Sequence, residues 1–152
     1  MFASAASPAA SPVFRVGRVI DGDTIELGNG QHVRIVQIDT PEVYSGVECY
    51  GRAASATTKR LLPAGTRVRL LRESASDPVD RYGRLLRYVV RVSDGVNVNL
   101  RLVALGAAAP WFYDGEVGSY ASALSSLATQ ARAKRSRYRP RPRRGKLASP
   151  VV

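Results

Sequence analysis

The chain has 152 residues, 23 Lys and Arg against 12 Asp and Glu, and a formal net charge of +11, which reads as one basic domain long enough to bury a core without disulfides or a structural metal. With one cysteine, Cys49, and one histidine, His32, an internal disulfide is impossible, and zinc sites or Ser-His and Cys-His nucleophiles are poorly supported. No apolar run approaches the roughly 20 residues of a membrane span.

The charge is unevenly placed. Residues 1–131 hold 14 bases and all 12 acids, whereas residues 132–146 hold nine bases and no acid. A tail of that composition is a solvated arm able to hold a polyanion, nucleic acid before an anionic membrane surface. Residues 1–12 (MFASAASPAASP) have neither the basic start nor the apolar centre of a complete secretory signal, and read as a disordered arm or processing remnant.

VFRVGRVI at 13–20 and DTIEL at 23–27 read as strands flanking the Asp21-Gly22 turn. Gly28-Asn29-Gly30 marks a hairpin into a third strand, HVRIVQI at 32–38, in which Val36 and Ile38 break strict alternation. Asp39-Thr40-Pro41-Glu42 ends that strand, because proline cannot continue the ladder. After a loop to Cys49, YGRAASATTKRLL at 50–62 has alanine content and spacing for a helix closed by Pro63-Ala64-Gly65. TRVRLLR at 66–72 and RLLRYVVRV at 84–92 supply two more strands, with Tyr88, Val90 and Val92 on one side of the sheet, and a polar loop between the strands. Residues 97–105 before Gly106 and residues 119–134 read as helices, and Pro140 and Pro142 bar the last from continuing through the tail. Five short strands with a helix after the third predict an α+β fold built on a five-stranded Greek-key OB barrel with about three helices. The expected organisation is an arm at 1–12, a folded domain at 13–131 and a basic tail at 132–152.

Five of the 12 acids lie between Asp21 and Glu42, four of them at strand ends or turns: Asp21, Asp23, Asp39 and Glu42. Such carboxylates can converge on one barrel edge around a hard cation such as Ca²⁺ or Mg²⁺, or remain ordinary solvated turn acids. Their company favours the first reading. Arg34 precedes Asp39 on one strand and Arg84 follows a Tyr-Gly turn, so metal, carboxylate base and two guanidinium groups are together available for phosphodiester hydrolysis.

Ile20-Asp21-Gly22-Asp23-Thr24, then Arg34 five residues before Asp39-Thr40-Pro41-Glu42, then Tyr50-Gly51 opening a helix, then Asp80-Arg81-Tyr82-Gly83-Arg84, occur in an order and spacing that resemble the staphylococcal nuclease (thermonuclease) family over about residues 14–131. The resemblance implies an OB barrel and Ca²⁺-dependent cleavage of DNA and RNA. It would make Asp23 and Asp39 ligands of one Ca²⁺, joined by the Thr40 carbonyl, with Asp21 behind them. Glu42 would be the general base, and Arg34 and Arg84 would grip the scissile phosphate. Arg81-Tyr82 matches a basic-aromatic pair placed on a neighbouring phosphate. Tyr113 is the chosen stacking platform, with Trp111, Phe112 or a core role for all three left open. The Val43–Glu48 loop lacks the lysines of the type member.

His32 reads as an exposed or cross-strand residue and Cys49 as a small, partly buried one. The rival to a nuclease is a noncatalytic nucleic-acid-binding OB module. A monomer is the default, and calcium use together with family habit points to export.

Overall fold

In the computed structural model, residues 11–40, 49–112, 115 and 117–137 are described. Strands β1 (Val13–Asp21), β2 (Thr24–Leu27), β3 (His32–Ile35), β5 (Arg67–Arg72) and β6 (Leu85–Arg91) close into a barrel in the order β1-β2-β3-β6-β5. Neighbours are antiparallel except β3 and β6, which run parallel. This closed barrel with its helices is the OB-type α+β architecture expected from the sequence. The expected helices are α1 (Cys49–Leu61), α2 (Val98–Ala104) and α3 (Ala121–Arg137), the last running beyond the predicted 134.

Alternation explains the barrel. Val16, Ile25, Leu27, Val33, Ile35, Val68 and Val89 point inward and are almost fully buried, and burying each such side chain contributes about 1.5–3 kcal/mol. Val98, Leu102 and Val103 of α2 and Leu124 of α3 extend that core outside the strands. Asn97 caps α2, its side chain accepting the Leu100 N–H, which satisfies one of the otherwise unpaired donors of the first turn.

One predicted element is divided. The strand expected over 32–38 stops at Ile35, and a separate short strand β4 (Ile38–Asp39) pairs with β7 (Ala109–Pro110) outside the barrel. Gln37, with φ of 64°, makes the break, a conformation that costs a residue with a Cβ. Tertiary bonds hold it there: the Gln37 carbonyl accepts the Trp111 N–H at 2.9 Å and its Oε1 accepts the Gly118 N–H at 3.1 Å. Asn99, fully buried on α2, donates to the Val36 carbonyl at 2.8 Å and accepts the Val89 N–H at 3.0 Å, tying the break to β6.

A second buried polar cluster adjoins this break, since the neighbouring Gly118 and Ser119 N–H groups donate to Gln37 and Glu73 respectively. Glu73, following β5, accepts bonds from the Tyr88 hydroxyl at 2.6 Å and from the Ser119 and Ala75 N–H groups at 2.7 and 3.1 Å. Burial pushes the Glu73 carboxyl up, but these donors outweigh it and hold it below the usual carboxylate range. Burial and the adjacent Glu73 carboxylate push the Tyr88 phenol well upward, and its ring meets Tyr120 edge-on at 4.7 Å.

Candidate active site

The turn Gly22-Asp23 between β1 and β2 and the end of β4 come together because Gly22 lacks a side chain. A Cβ on Gly22 would lie 2.6 Å from Thr40 Oγ1 and 2.9 Å from Thr40 Cβ. The Thr58 hydroxyl on α1 donates to the Gly22 carbonyl at 2.7 Å, anchoring the turn to the helix. The Thr40 N–H then donates to Asp23 Oδ2 at 3.2 Å, and the Asp23 N–H to Asp21 Oδ1 at 3.1 Å.

Arg34 gathers the acids. Its Nη2 lies 3.3 Å from Asp23 Oδ2 and 3.5 Å from Asp39 Oδ1, while its Nη1 donates to the carbonyls of Ile35 and Ile38 at 2.7 and 3.0 Å. The two carbonyls fix the guanidinium plane, so the other nitrogen is held between the carboxylates. This also uses the chain break at Gln37, since Ile35 and Ile38 flank it. Asp23 is buried and Asp39 is exposed, giving the cluster an inner and a solvent-facing acid. Desolvation, followed by the hydrogen bond and charge of Asp23, pushes the Asp21 carboxyl up to about 6.

Arg84 approaches from the β5–β6 loop. Its Nε donates to Asp80 Oδ2 at 2.7 Å and its Nη1 to Thr24 Oγ1 at 3.3 Å, and the Thr24 hydroxyl donates to Asp23 Oδ1 at 3.2 Å. Thr24 thus links the two arginine sites, a role that its place within the first sequence motif does not by itself assign. Burial alone would raise the Asp80 carboxyl, but the Arg84 and Tyr82 N–H groups and the Arg84 guanidinium hold it below the usual range. Above this loop the exposed Tyr82 ring is faced by Arg81 at 4.8 Å and Arg84 at 5.4 Å, measured from guanidinium carbon to ring centroid.

Arg34, Asp80, Arg81, Tyr82, Arg84 and Trp111 line part of a cleft of about 390 Å³, whereas Asp39 and Thr40 line a separate recess of about 660 Å³ beside α1 and α3. Of the three aromatic candidates, half-exposed Trp111 is on the cleft wall and Phe112 packs against the core. Tyr113 lies outside the described residues, as do Glu42 and the rest of the Val43–Glu48 loop. His32 pairs across the sheet with Glu26 at 3.1 Å.

The donor set suits a hard cation in kind: Asp23 and Asp39 are anionic oxygen donors drawn to one guanidinium, with Asp21 adjoining them. Among the described residues no group of three or more acids, histidines or cysteines closes into a complete metal cage. A bound ion would therefore draw further oxygens from backbone, water or substrate.

As a class, this is a small closed OB-type barrel with Arg34 bridging two acids at one end and Arg84 linked to them through Thr24. The chain matches the family described as "Staphylococcal nuclease homologue" over residues 32–137 and belongs to that family. It is 43% identical over 101 residues to a protein named thermonuclease from Staphylococcus intermedius, covering 62% of this chain and 58% of the relative. An uncharacterized endonuclease of Escherichia coli O157:H7 is 41% identical over 103 residues, covering 66% and 60% respectively. The succinoglycan biosynthesis protein ExoI of Rhizobium meliloti (strain 1021) is 34% identical over 130 residues, covering 76% and 60%. The matched region thus spans somewhat over half the length of these relatives. No helix among the described residues is long and apolar enough to cross a membrane.

Proposed function

We propose that the protein is a metal-dependent nuclease that hydrolyses phosphodiester bonds of DNA and RNA with little sequence specificity, using one Ca²⁺. The observation that carries this reading is the placing of Arg34 between Asp23 and Asp39, joined through Thr24 to Arg84. The names of two relatives, a thermonuclease and an endonuclease, support it.

A Ca²⁺ held by Asp23 and Asp39, with the Thr40 carbonyl, supplies Lewis-acid polarisation of a phosphoryl oxygen. The other groups belong to the chain. Arg34 and Arg84 bind the nonbridging oxygens and stabilise the charge that accumulates there, and each is oriented beforehand by fixed partners, which lowers the reorganisation needed during reaction. Glu42, assigned from the family pattern, accepts a proton from the attacking water. The new phosphorus–oxygen bond forms as the bond to the leaving sugar oxygen breaks, and that oxygen takes up a proton, for which Arg84 is the assigned neighbour. Tyr82 and Trp111 are the stacking surfaces for the adjoining nucleotide, and Arg81 takes a neighbouring phosphate.

Single-stranded DNA incubated with Ca²⁺ is expected to be cut, with loss of cutting in EGTA and a fall of at least about 10²-fold for Glu42→Ala, as for removal of a general base. Arg34→Lys and Arg84→Lys are expected to lose activity strongly, because an ammonium cannot reproduce the fork that meets two oxygens. DNA left intact under every condition, with binding unaffected by EGTA, would instead establish the noncatalytic binding module.

A further inference from the structure

Some arginines of the barrel form ion pairs among the described residues and others do not; of the latter, Arg72 and Arg87 oppose each other at the C-terminal end of β5, apart from Arg15, Arg67 and Arg69. Arg18, Arg34, Arg84 and Arg91 each pair with a carboxylate. Arg15, Arg67 and Arg69 form no ion pair among the described residues, and they lie together. Arg15 is the direct cross-strand partner of Arg67, and Arg69 stands two residues along β5 opposite Val13. All three alternate with inward-facing Phe14, Val16 and Val68 and so point out of the barrel.

Their surroundings are free of acids at every paired position. On the β6 side Val90 opposes Arg69 and the Val92 N–H bonds the Arg67 carbonyl. On the β2 side the Gly28 N–H bonds the Arg15 carbonyl. Arg15 donates to the Gly65 carbonyl and Arg69 to the Ser11 carbonyl, bonds that neutralise no charge. Like charges directly opposite on adjacent strands disfavour the sheet. A row of anions laid across them removes that repulsion.

We infer that Arg15, Arg67 and Arg69 form a second binding surface for the phosphodiester backbone of nucleic acid, separate from the cleft. Arg15 and Asp21 are six residues apart on β1, about 20 Å of extended strand. A strand held in the cleft can therefore reach the triad only through nucleotides several positions from the scissile bond. The surface grips substrate of that length and leaves a dinucleotide untouched. Nucleic acid is identified as the polyanion through the function proposed above, but the binding itself requires no cleavage.

The test uses the full chain in EGTA and measures anisotropy of a fluorescent 30-nucleotide single strand across salt concentrations. Each phosphate that the protein ceases to neutralise lowers the slope of log affinity against log salt by about 0.7. Arg15→Gln/Arg67→Gln/Arg69→Gln is expected to lower it by about 2, whereas Arg15→Lys/Arg67→Lys/Arg69→Lys retains it. Arg67→Gln alone, at an exposed site, is expected to lower it by about 0.7, which keeps the test decisive if the triple variant fails to fold. An unchanged slope in Arg67→Gln and in a folded triple variant overturns the inference, as does failure of the parent chain to bind the strand. Binding with the expected slopes but no cleavage in Ca²⁺ would remove the nuclease reading and leave this surface standing; cleavage with unchanged slopes would do the reverse.

Discussion

Gly22→Ala tests how the turn and the acid cluster are coupled. The backbone at Gly22 is not among the glycines with positive φ, so alanine meets a steric obstacle only. Its Cβ would sit 2.6 Å from Thr40 Oγ1, 2.9 Å from Thr40 Cβ and 3.0 Å from Thr40 Cγ2, and Thr40 is 3% exposed with nowhere to swing. Restoring an ordinary 3.4 Å separation moves the turn and β4 apart by roughly 0.8 Å. The Thr40 N–H then leaves Asp23 Oδ2, from which it is already 3.2 Å away. Overpacking of this kind costs about 1–3 kcal/mol, a large part of the roughly 5–15 kcal/mol that stabilises a domain. Thermal unfolding in EGTA is expected to show a lower Tm, and calorimetric titration a Ca²⁺ affinity weakened about tenfold or more, equivalent to at least about 1.4 kcal/mol. Gly28→Ala is the control, since its Cβ would meet nothing closer than 3.7 Å. Thr40→Ala removes the 2.6 Å contact, so the double variant is expected to be less destabilised than the sum of the singles. A Gly22→Ala protein with parental Tm and parental Ca²⁺ affinity would refute the steric coupling.

Other perturbations address the supports and the tail. Glu73→Gln removes the charge and turns one of its two acceptor oxygens into an NH2 donor facing the Tyr88, Ser119 and Ala75 donors, and is expected to cost about 1–3 kcal/mol at pH 7 in urea unfolding. Because the folded-state Glu73 is held below its ordinary 4.5, its ionisation contributes stability above that pH and loses it as pH falls through the folded value; the variant should show a flatter acid limb. A parental acid limb would mean the carboxylate is not what its donors stabilise. Thr58→Val leaves the Gly22 carbonyl without its 2.7 Å donor and is expected to lower stability by about 1–3 kcal/mol in denaturant titration; an unchanged midpoint would show that the helix does not anchor the turn. Truncation after Arg137 removes five bases and is expected to reduce the salt slope of single-strand binding by up to about 3.5 while dinucleotide turnover is retained. Loss of dinucleotide turnover in the folded truncation would place part of the cleft's machinery in the tail.

The barrel was legible because its strands alternate, as at Val16, Ile25, Val33 and Val68; in β6 the Tyr88, Val90 and Val92 side read from the sequence is the outer one, and Val89 points inward. Turn chemistry at Asp21-Gly22 and Gly28-Asn29-Gly30 marked the corners. The cleft's acids and arginines were legible as types at spacings. Their convergence was not, because Arg34 reaches Asp23 by strand pairing across a hairpin and Arg84 reaches Thr24 across 60 residues of chain.

What the sequence determined by itself was therefore the local alphabet: strand faces, turns, helix-forming stretches, the basic tail and the residue types of the cleft. The tertiary structure alone decided three things. It broke the third strand at Gln37, because bonds to Trp111 and Gly118 stabilise a backbone that no local propensity favours. It turned Glu73, read from sequence as part of a polar loop, into a buried brace, because its donors Tyr88 and Ser119 lie 15 and 46 residues away. And it gathered Arg15, Arg67 and Arg69 on one outer face, since strand register, which depends on closure of the whole barrel, sets Arg15 against Arg67 rather than against an acid.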